Sequence, residues 1–528
     1  MITFKQKTMF AAVAAGLAAA GAAGTANAVH INPDGLGQVL VFPYYTARAG
    51  QATLITVINT QGTNTKAVKV RFLEGKNSRE VLDFNLFLSP NDVWTGAVVA
   101  TANGARVITN DNSCVTPSDL FVETRTDSLG LPLNEFKNYQ YTGTNADSAS
   151  FASLDRTREG YFEVIEMAVI DDDAVDGNAI AGAAAQVTGY IKHNTAGVPA
   201  NCAALNGLDS FPGNAAAVQF PNTGATMMNP PRGGLAGRAS IINAANGSNY
   251  TFSPTAFDAW STVVAYSESG NLAPAITQAF PATSNVFTSA GVVTATWAAT
   301  PAGQRDAMSA TMMRNSVINE YILDAGTSSQ TDWVVTFPTK RGYVSVGSGA
   351  AVAPFANNFS TGTTGSCDPY AFAVFNREEG VPGASTPSPS PSPLPPVAVV
   401  AGAQLCWEAN VVPFGTTSLL ASSNTNPLIA GLQSFVNGAT TTPGSLTTPS
   451  IRATQGPNGY LLMNFNTATQ GLTPVAATLT PLGGAPAAIP GRHNGLPVLG
   501  MMLHNYQNTG VTSRYGGVVE HKFTRSII

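Results

Sequence analysis

Between Ala52 and Val99 the side chains alternate in polarity with the period of a β-strand, and this limits the fold more than any other stretch does. Val68, Val70 and Phe72 share one side of a run while Lys69 and Arg71 share the other. Further on, Leu82, Phe84, Leu86 and Leu88 face away from Asp83 and Asn85. Successive side chains on a strand point to opposite faces, so each run is expected to bury one face and wet the other. Glu74–Arg79, rich in turn formers, reads as the loop of a hairpin. Matching the apolar faces sets odd-numbered residues opposite odd-numbered ones, which brings Asp83 to Arg71 or Lys69 on the solvent side. Such a pair adds ~0.2–1 kcal/mol, enough to favour a register but not to hold a fold. Leu54–Ile58 is apolar on both sides and reads as a central strand; Val93–Val99 follows the turn Ser89-Pro90-Asn91-Asp92. The expectation is an antiparallel meander with one dry face, and that face needs a second sheet.

The start of the chain has the form of an export signal. Lys5 and Lys7 precede an apolar run of small residues, Met9–Ala23, and Ala26-Asn27-Ala28 fits a signal-peptidase site, with cleavage expected after Ala28. The run is too short and too alanine-rich to span ~30 Å of hydrocarbon, so no transmembrane helix is expected once the signal is cleaved. No cysteine follows it to carry a lipid anchor. The four cysteines, Cys114, Cys202, Cys367 and Cys406, form an even set in an exported chain and read as two disulfides. Three connectivities are open. Cys114–Cys202 with Cys367–Cys406 is favoured, because each pair then closes a loop-rich insertion within one half of the chain.

Charge narrows the partners. Only 11% of the 528 residues are charged, and removing Lys5 and Lys7 takes the formal net charge from −5 to −7. A charge-poor, mildly acidic surface gains little from releasing phosphate counterions, so nucleic acid is not an expected partner. No block of lysine and arginine suggests anionic lipid. Self-association or a surface glycan are the partners left open.

Along the chain, Gln38–Phe42 reads as the first strand of the mature protein, with Pro43 ending it. Gly160–Ile170 is another strong strand by its β-branched and aromatic content, with Ala185–His193 as its expected partner. Ala239–Ile242 and Asn249–Phe252 bracket Asn246-Gly247 as a hairpin. Ser253–Trp260 is expected to be a short helix, and Pro301–Met313 a clearer one capped by Thr300. Strands resume at Val317–Leu323, Trp333–Phe337, Tyr343–Val346, Ala371–Phe375, Gln404–Val412, Tyr460–Phe465, Val498–His504 and Val518–Phe523. Ser385–Pro396 reads as an extended polyproline-type surface loop. The expected class is mainly β: antiparallel Ig-like β-sandwiches with long irregular loops and one or two short helices. The regions are a signal peptide (1–28), an N-terminal sandwich portion (29–112), a central β region with long insertions (113–300) and a C-terminal β region (301–528).

Four stretches carry a resemblance: Gly35–Thr46 (GLGQVLVFPYYT), Thr331–Val344 (TDWVVTFPTKRGYV), Gly495–Leu503 (GLPVLGMML) and Tyr515–Arg525 (YGGVVEHKFTR). With the strands of 52–99 they resemble uncharacterised exported proteins of Gram-negative bacteria described only as cell-surface proteins, and the strands alone resemble bacterial Ig-like modules. The resemblance implies export and a β-sandwich architecture. It assigns no catalytic residue.

Common catalytic signatures are missing: there is no G-x-S-x-G, H-E-x-x-H, G-x-x-x-x-G-K-[ST] or dinucleotide fingerprint. The carboxylates are the more interesting set. Glu163 and Glu166 sit on opposite faces of one strand, and Glu320 and Glu408 are lone acids within apolar runs. A glycosidase needs two carboxyl groups about 5–9 Å apart across a cleft, which Glu166, Glu320 and Glu408 could supply if they converge. The alternative is that each pairs with an arginine such as Arg156, Arg158, Arg341 or Arg377, or sits at a sheet rim. Asp171, Asp172, Asp173, Asp176 and Asn178 crowd one turn as hard oxygens suited to calcium, although Val175 breaks the EF-hand pattern. His30, His193, His493, His504 and His521 are not spaced as a metal set, and only His504 and His521 would approach if the last strands pair. Phe42, Tyr44 and Tyr45 offer a stacking surface for sugar rings or the cap of a core. Neither a cofactor nor a resident metal is expected.

The leading expectation is a non-enzymatic exported structural or adhesion-type protein, at the cell surface or outside the cell, with the periplasm second. A carbohydrate-binding or glycoside-active protein and an outer-membrane β-barrel are the alternatives. Interrupted strands, a terminal Ile527-Ile528 and the helix at 301–313 speak against the barrel.

Overall fold

The computed structural model describes residues 28–147, 151–170, 183–206, 228–344, 351–359, 365–376, 403–415, 418–425, 458–465, 478–481, 492–508, 510 and 513–527. The signal segment up to residue 27, the acidic turn Asp171–Asn178 and the loop Ser385–Pro396 lie outside them. The described residues are mainly β, 47% of them in strands and 10% helical, with the strands in several antiparallel sheets.

Two sheets carry the first half. The larger joins β1 (His30–Ile31), β2 (Val39–Thr46), β4 (Thr65–Glu74), β5 (Glu80–Leu88), β8 (Cys114–Thr116), β9 (Glu159–Ile170), β10 (Met228–Asn229) and β13 (Thr255–Asp258). Its order is β1-β13-β2-β9-β4-β5-β8, with β10 also on β9. The smaller runs β12 (Ser248–Phe252), β11 (Leu235–Asn243), β3 (Ala52–Asn59), β6 (Val93–Ala100) and β7 (Ala105–Ile108). The hairpin β4–β5 forms as expected, with Arg71 opposite Asp83 and Val70 opposite Phe84. The meander does not. β3 pairs with β6 and β11 rather than with β4, so four consecutive strands divide between two sheets and face each other across a core. β3 is central, but only one of its faces is dry: Leu54 is exposed. Phe42, Val70, Phe72, Phe84 and Phe162 of the larger sheet meet Ile55, Val57, Trp94 and Ile241 of the smaller one.

The second half adds two more sheets. One orders β20 (Ala403–Leu405), β19 (Asp368–Asn376), β22 (Asn458–Asn464), β17 (Ser316–Ile322) and β28 (Lys522–Thr524). The other orders β21 (Ala409–Pro413), β18 (Gln330–Thr336), β26 (Leu499–Gln507) and β27 (Arg514–Glu520). Short pairs complete the set: β14 (Thr283–Thr288) with β15 (Gly291–Thr296), β16 (Met313–Arg314) with β25 (Leu496–Pro497), and β23 (Thr478–Leu479) and β29 (Ser526–Ile527) on either side of β24 (His493–Asn494). Among the described residues every sheet is open and none closes into a barrel.

The halves share their cores. Val334, Val411, Met501 and Leu503 join the core between the first two sheets. Val39, Val41, Tyr161 and Ile165, from the other face of the larger sheet, join a second core with Trp260, Met308, Trp333 and Phe372. The larger sheet is thus covered on both sides, and β2, β4 and β9 are buried along their whole length. This overturns the expectation of a solvated face for Lys69 and Arg71.

Local expectations fare unevenly. The hairpin Ala239–Ile242/Asn249–Phe252 forms, and helix 301–312 starts with Thr300 accepting from the Gly303 amide at 3.2 Å. Residues 255–258 are a strand rather than a helix, because this segment pairs with the edge of β2. Residues 183–191 are helical rather than the strand partner of β9. With the short helix 203–206 the described helices number three. Pro43 does not end its strand; β2 continues through it with a shift of register between Phe42 and Tyr45, where a missing amide is tolerated. The Pro43 carbonyl accepts from Thr336 Oγ1 at 2.6 Å, tying β2 to β18. Both favoured disulfides form, Cys114–Cys202 and Cys367–Cys406. Such bonds persist in oxidising compartments.

Candidate functional site

The strand carboxylates do not converge. Glu163 accepts from Arg71 Nη1 at 2.8 Å, and Arg71 Nε donates to Glu80 at 2.6 Å. Glu166 accepts from Lys66 Nζ at 2.6 Å and from the amides of Arg232 and Gly233 at 3.1 and 2.8 Å. Lys66 and Glu166 are fully buried. Burial pushes both glutamates up in pKa, against the cations beside them. Glu163 thus pairs with an arginine, though with Arg71 of the neighbouring strand rather than one named from the sequence, and Glu166 pairs with Lys66 of that strand.

The segment 261–278 roofs this layer. Lys69 Nζ pairs with Asp83 at 3.0 Å and donates to the carbonyls of Glu268 and Asn271. The Gly270 amide donates to Asp83, and Asn85 donates to the Ser267 carbonyl. A face patterned like a wet one is therefore an internal layer of ion pairs.

A second buried layer surrounds the β4–β5 turn. Glu74 accepts the amides of Lys76, Asn77 and Arg79 and takes a bidentate pair from Arg156 at 2.6 and 2.7 Å. Arg156 also reaches Asp147 at 2.7 Å. Glu159 gathers Arg48, Tyr44, Ser422 and Ser423. Burial alone would raise Glu74 and Glu159, but Arg156 and Arg48 with these donors hold both below the usual carboxylate range. Nothing in the sequence singled out Glu74, Glu159 or Lys66, although a lysine or glutamate in an otherwise apolar strand was a usable sign.

Glu408 differs. It is buried, one carboxylate oxygen has no hydrogen-bond partner, and burial raises its pKa to about 8 despite Lys340 nearby. Enclosed in this way, it faces no cleft.

Glu320 is the one exposed member of the set, and its surroundings are of another kind. On β17 it lies opposite Tyr460 of β22, which lies opposite Phe375 of β19. Cross-strand partners share a face, so the three form a strip across the sheet. The Phe375 and Tyr460 rings stack at 4.5 Å, and Tyr460 is 43% exposed. His504 and Tyr506 of β26, in the other sheet, meet edge-to-face at 4.9 Å and are near enough for the Glu320 charge to raise the pKa of each; burial, the larger influence, lowers that of His504 and raises that of Tyr506.

The other sequence candidates are placed elsewhere. Phe42, Tyr44 and Tyr45 are fully buried; Phe42 stacks on Phe162, and the tyrosine hydroxyls donate to Glu159 and the Thr157 carbonyl. They are core residues, not a sugar platform. β26 and β27 pair, but His504 stands opposite Gly517 while His521 turns inward to the Val334 carbonyl and Asn319. Among the described residues no three His, Cys, Asp or Glu side chains gather as a metal site, and no helix is long and apolar enough to cross a membrane. The candidate calcium turn, Asp171, Asp173, Asp176 and Asn178, lies outside the described residues. Neither a family model, a curated protein nor a solved structure matches this chain.

Proposed function

We propose that this is an exported, non-enzymatic structural or adhesion-type β protein of the cell surface or extracellular space. The observation that carries the reading is the fate of the strand carboxylates. Glu163 and Glu166 are held by buried cations and Glu408 is enclosed, so no two of them face each other across open space. A glycosidase of the two-carboxylate kind requires that they do. The two disulfides, the larger sheet covered from both sides and the leader-like start support persistence outside the cytoplasm. The open sheets weigh against a barrel.

Fractionation tests this. The protein is expected in the medium or in a detergent-free wash of intact cells, without hydrolytic activity on glycans. Recovery only with detergent, or with reduced thiols from the cytoplasm, would contradict it.

A second reading, glycan binding, is favoured by the strip Glu320–Tyr460–Phe375. An exposed aromatic face beside a carboxylate offers a sugar ring both stacking and a hydrogen-bond acceptor. Tyr460→Ala is then expected to abolish retention on a glycan array while leaving the fold intact. Unchanged retention, or no retention by the wild type, removes this reading.

A further inference from the structure

Near the C-terminal end of helix 301–312 two arginines meet with no counter-ion among the described residues. Arg314 is 5% exposed, and its Nη1 donates to the carbonyls of Thr311 and Met313 at 3.0 and 3.1 Å. Arg525 donates through Nη1 to the Phe287 carbonyl at 2.7 Å and through Nη2 to Thr311 at 2.9 Å. Both guanidinium groups stand over the ring of Phe523, at 3.9 and 5.1 Å from its centre. Neither belongs to any ion pair among the described residues, whereas Arg48, Arg71, Arg79 and Arg156 all do.

The helix end explains part of this arrangement. Its last carbonyls carry partial negative charge and accept well from arginine. It does not explain all of it. Each guanidinium has five N–H donors, and the four bonds above use fewer than half of the ten. Arg525 Nε is buried without a partner. Two like charges held together, one buried and the other half-buried, are unfavourable unless something negative joins them. Consistent with that, burial lowers the pKa of Arg314, with Arg525 adding to the effect, and burial alone brings Arg525 down to about 10.

Space for such a group is present. Arg314, Arg525 and Phe523 line a cavity of about 580 Å³, with Phe287 and the segment Asn32–Gly35 also in its wall. Pockets for small ligands run from about 300 to 1,000 Å³. His521, also in the wall, has both ring nitrogens engaged, and two exposed carboxylates, Asp34 and Glu520, are in the wall as well. We infer that this cavity is an oxyanion site, in which Arg314 and Arg525 receive the carboxylate, phosphate or sulfate group of a small ligand while Phe523 flanks it. Guanidinium groups suit such partners, because their donors match two oxygens at once.

The intact chain can be titrated at constant ionic strength with phosphate, with glucuronate and with neutral glucose, by calorimetry and thermal melting. Saturable binding of phosphate or glucuronate that glucose does not reproduce is expected. Arg525→Gln, at a half-buried position, is expected to weaken it by about tenfold or more, as the loss of charged hydrogen bonds does. Tighter phosphate points to a phosphorylated ligand and tighter glucuronate to an acidic sugar; either supports the site. No saturable binding of either anion, equal binding of glucose, or unchanged affinity in a folded Arg525→Gln protein would overturn it. Should that variant not fold, the wild-type titrations decide alone.

Discussion

Arg71 stands directly opposite Asp83 in the β4–β5 ladder, yet its guanidinium turns to Glu80 and Glu163, leaving Asp83 to Lys69. The direct cross-strand pair is passed over because Arg71 lies between two strands and can satisfy carboxylates on both. With 261–278 closed over it, every charge in this layer needs a partner, since an unpaired one costs several kcal/mol. Strand alternation here specifies which groups pair inside the protein rather than which face meets water.

Lys66 and Glu166 give the first test. Lys66→Met leaves Glu166 buried without its cation and is expected to cost about 3–5 kcal/mol in urea unfolding. Lys66→Met/Glu166→Leu should recover part of that loss, although the Arg232 and Gly233 amides lose their acceptor. A double variant no more stable than the single one would contradict the ion-pair account.

Glu408 gives a pH test. Its pKa is about 8 in the folded protein against an ordinary 4.5. Below pH ~4.5 the carboxyl is protonated in both folded and unfolded states and has no effect. From there to pH ~8 the unfolded chain releases the proton and the folded one keeps it, so stability falls as pH rises, then levels. Glu408→Gln removes this penalty. Its advantage over the wild type is expected to be near zero at pH 4 and on the order of 3–5 kcal/mol at pH 8.5. A difference independent of pH would show that Glu408 ionises normally.

The sequence was legible where one physical rule acts alone. The β4–β5 hairpin, its register, the Thr300 cap and the cysteine pairs each follow from local pattern or loop closure. It was misleading where tertiary structure supplies a second cover. Lys69 and Arg71 carry the pattern of a wet face, and nothing near them in sequence announces that residues 261–278 fold over it. The division of β3 and β6 from β4 and β5 depends on β11, nearly two hundred residues away. The strip Glu320–Tyr460–Phe375 is assembled from three separated strands, and the Arg314–Arg525 pair from positions over two hundred residues apart. No local spacing could have shown either.

The disulfides offer a third test. Each closes a long loop, with separations of 88 and 39 residues. On the loop-entropy model, reduction costs roughly 4–5 kcal/mol per bond as an upper figure. Unreduced protein is expected to show no reactive thiol in denaturant, and the reduced form to unfold at clearly lower urea. Thiols that react before reduction would contradict this.

The internal charge layer is tested most directly by a double-mutant cycle on Arg71 and Glu163, using Arg71→Leu and Glu163→Gln, by urea unfolding at low and high salt. A coupling energy above about 1.5 kcal/mol that persists in ~1 M NaCl is predicted, because salt screens buried pairs little. A coupling below about 0.5 kcal/mol that fades with salt is the signature of a solvated surface pair, and would contradict the account.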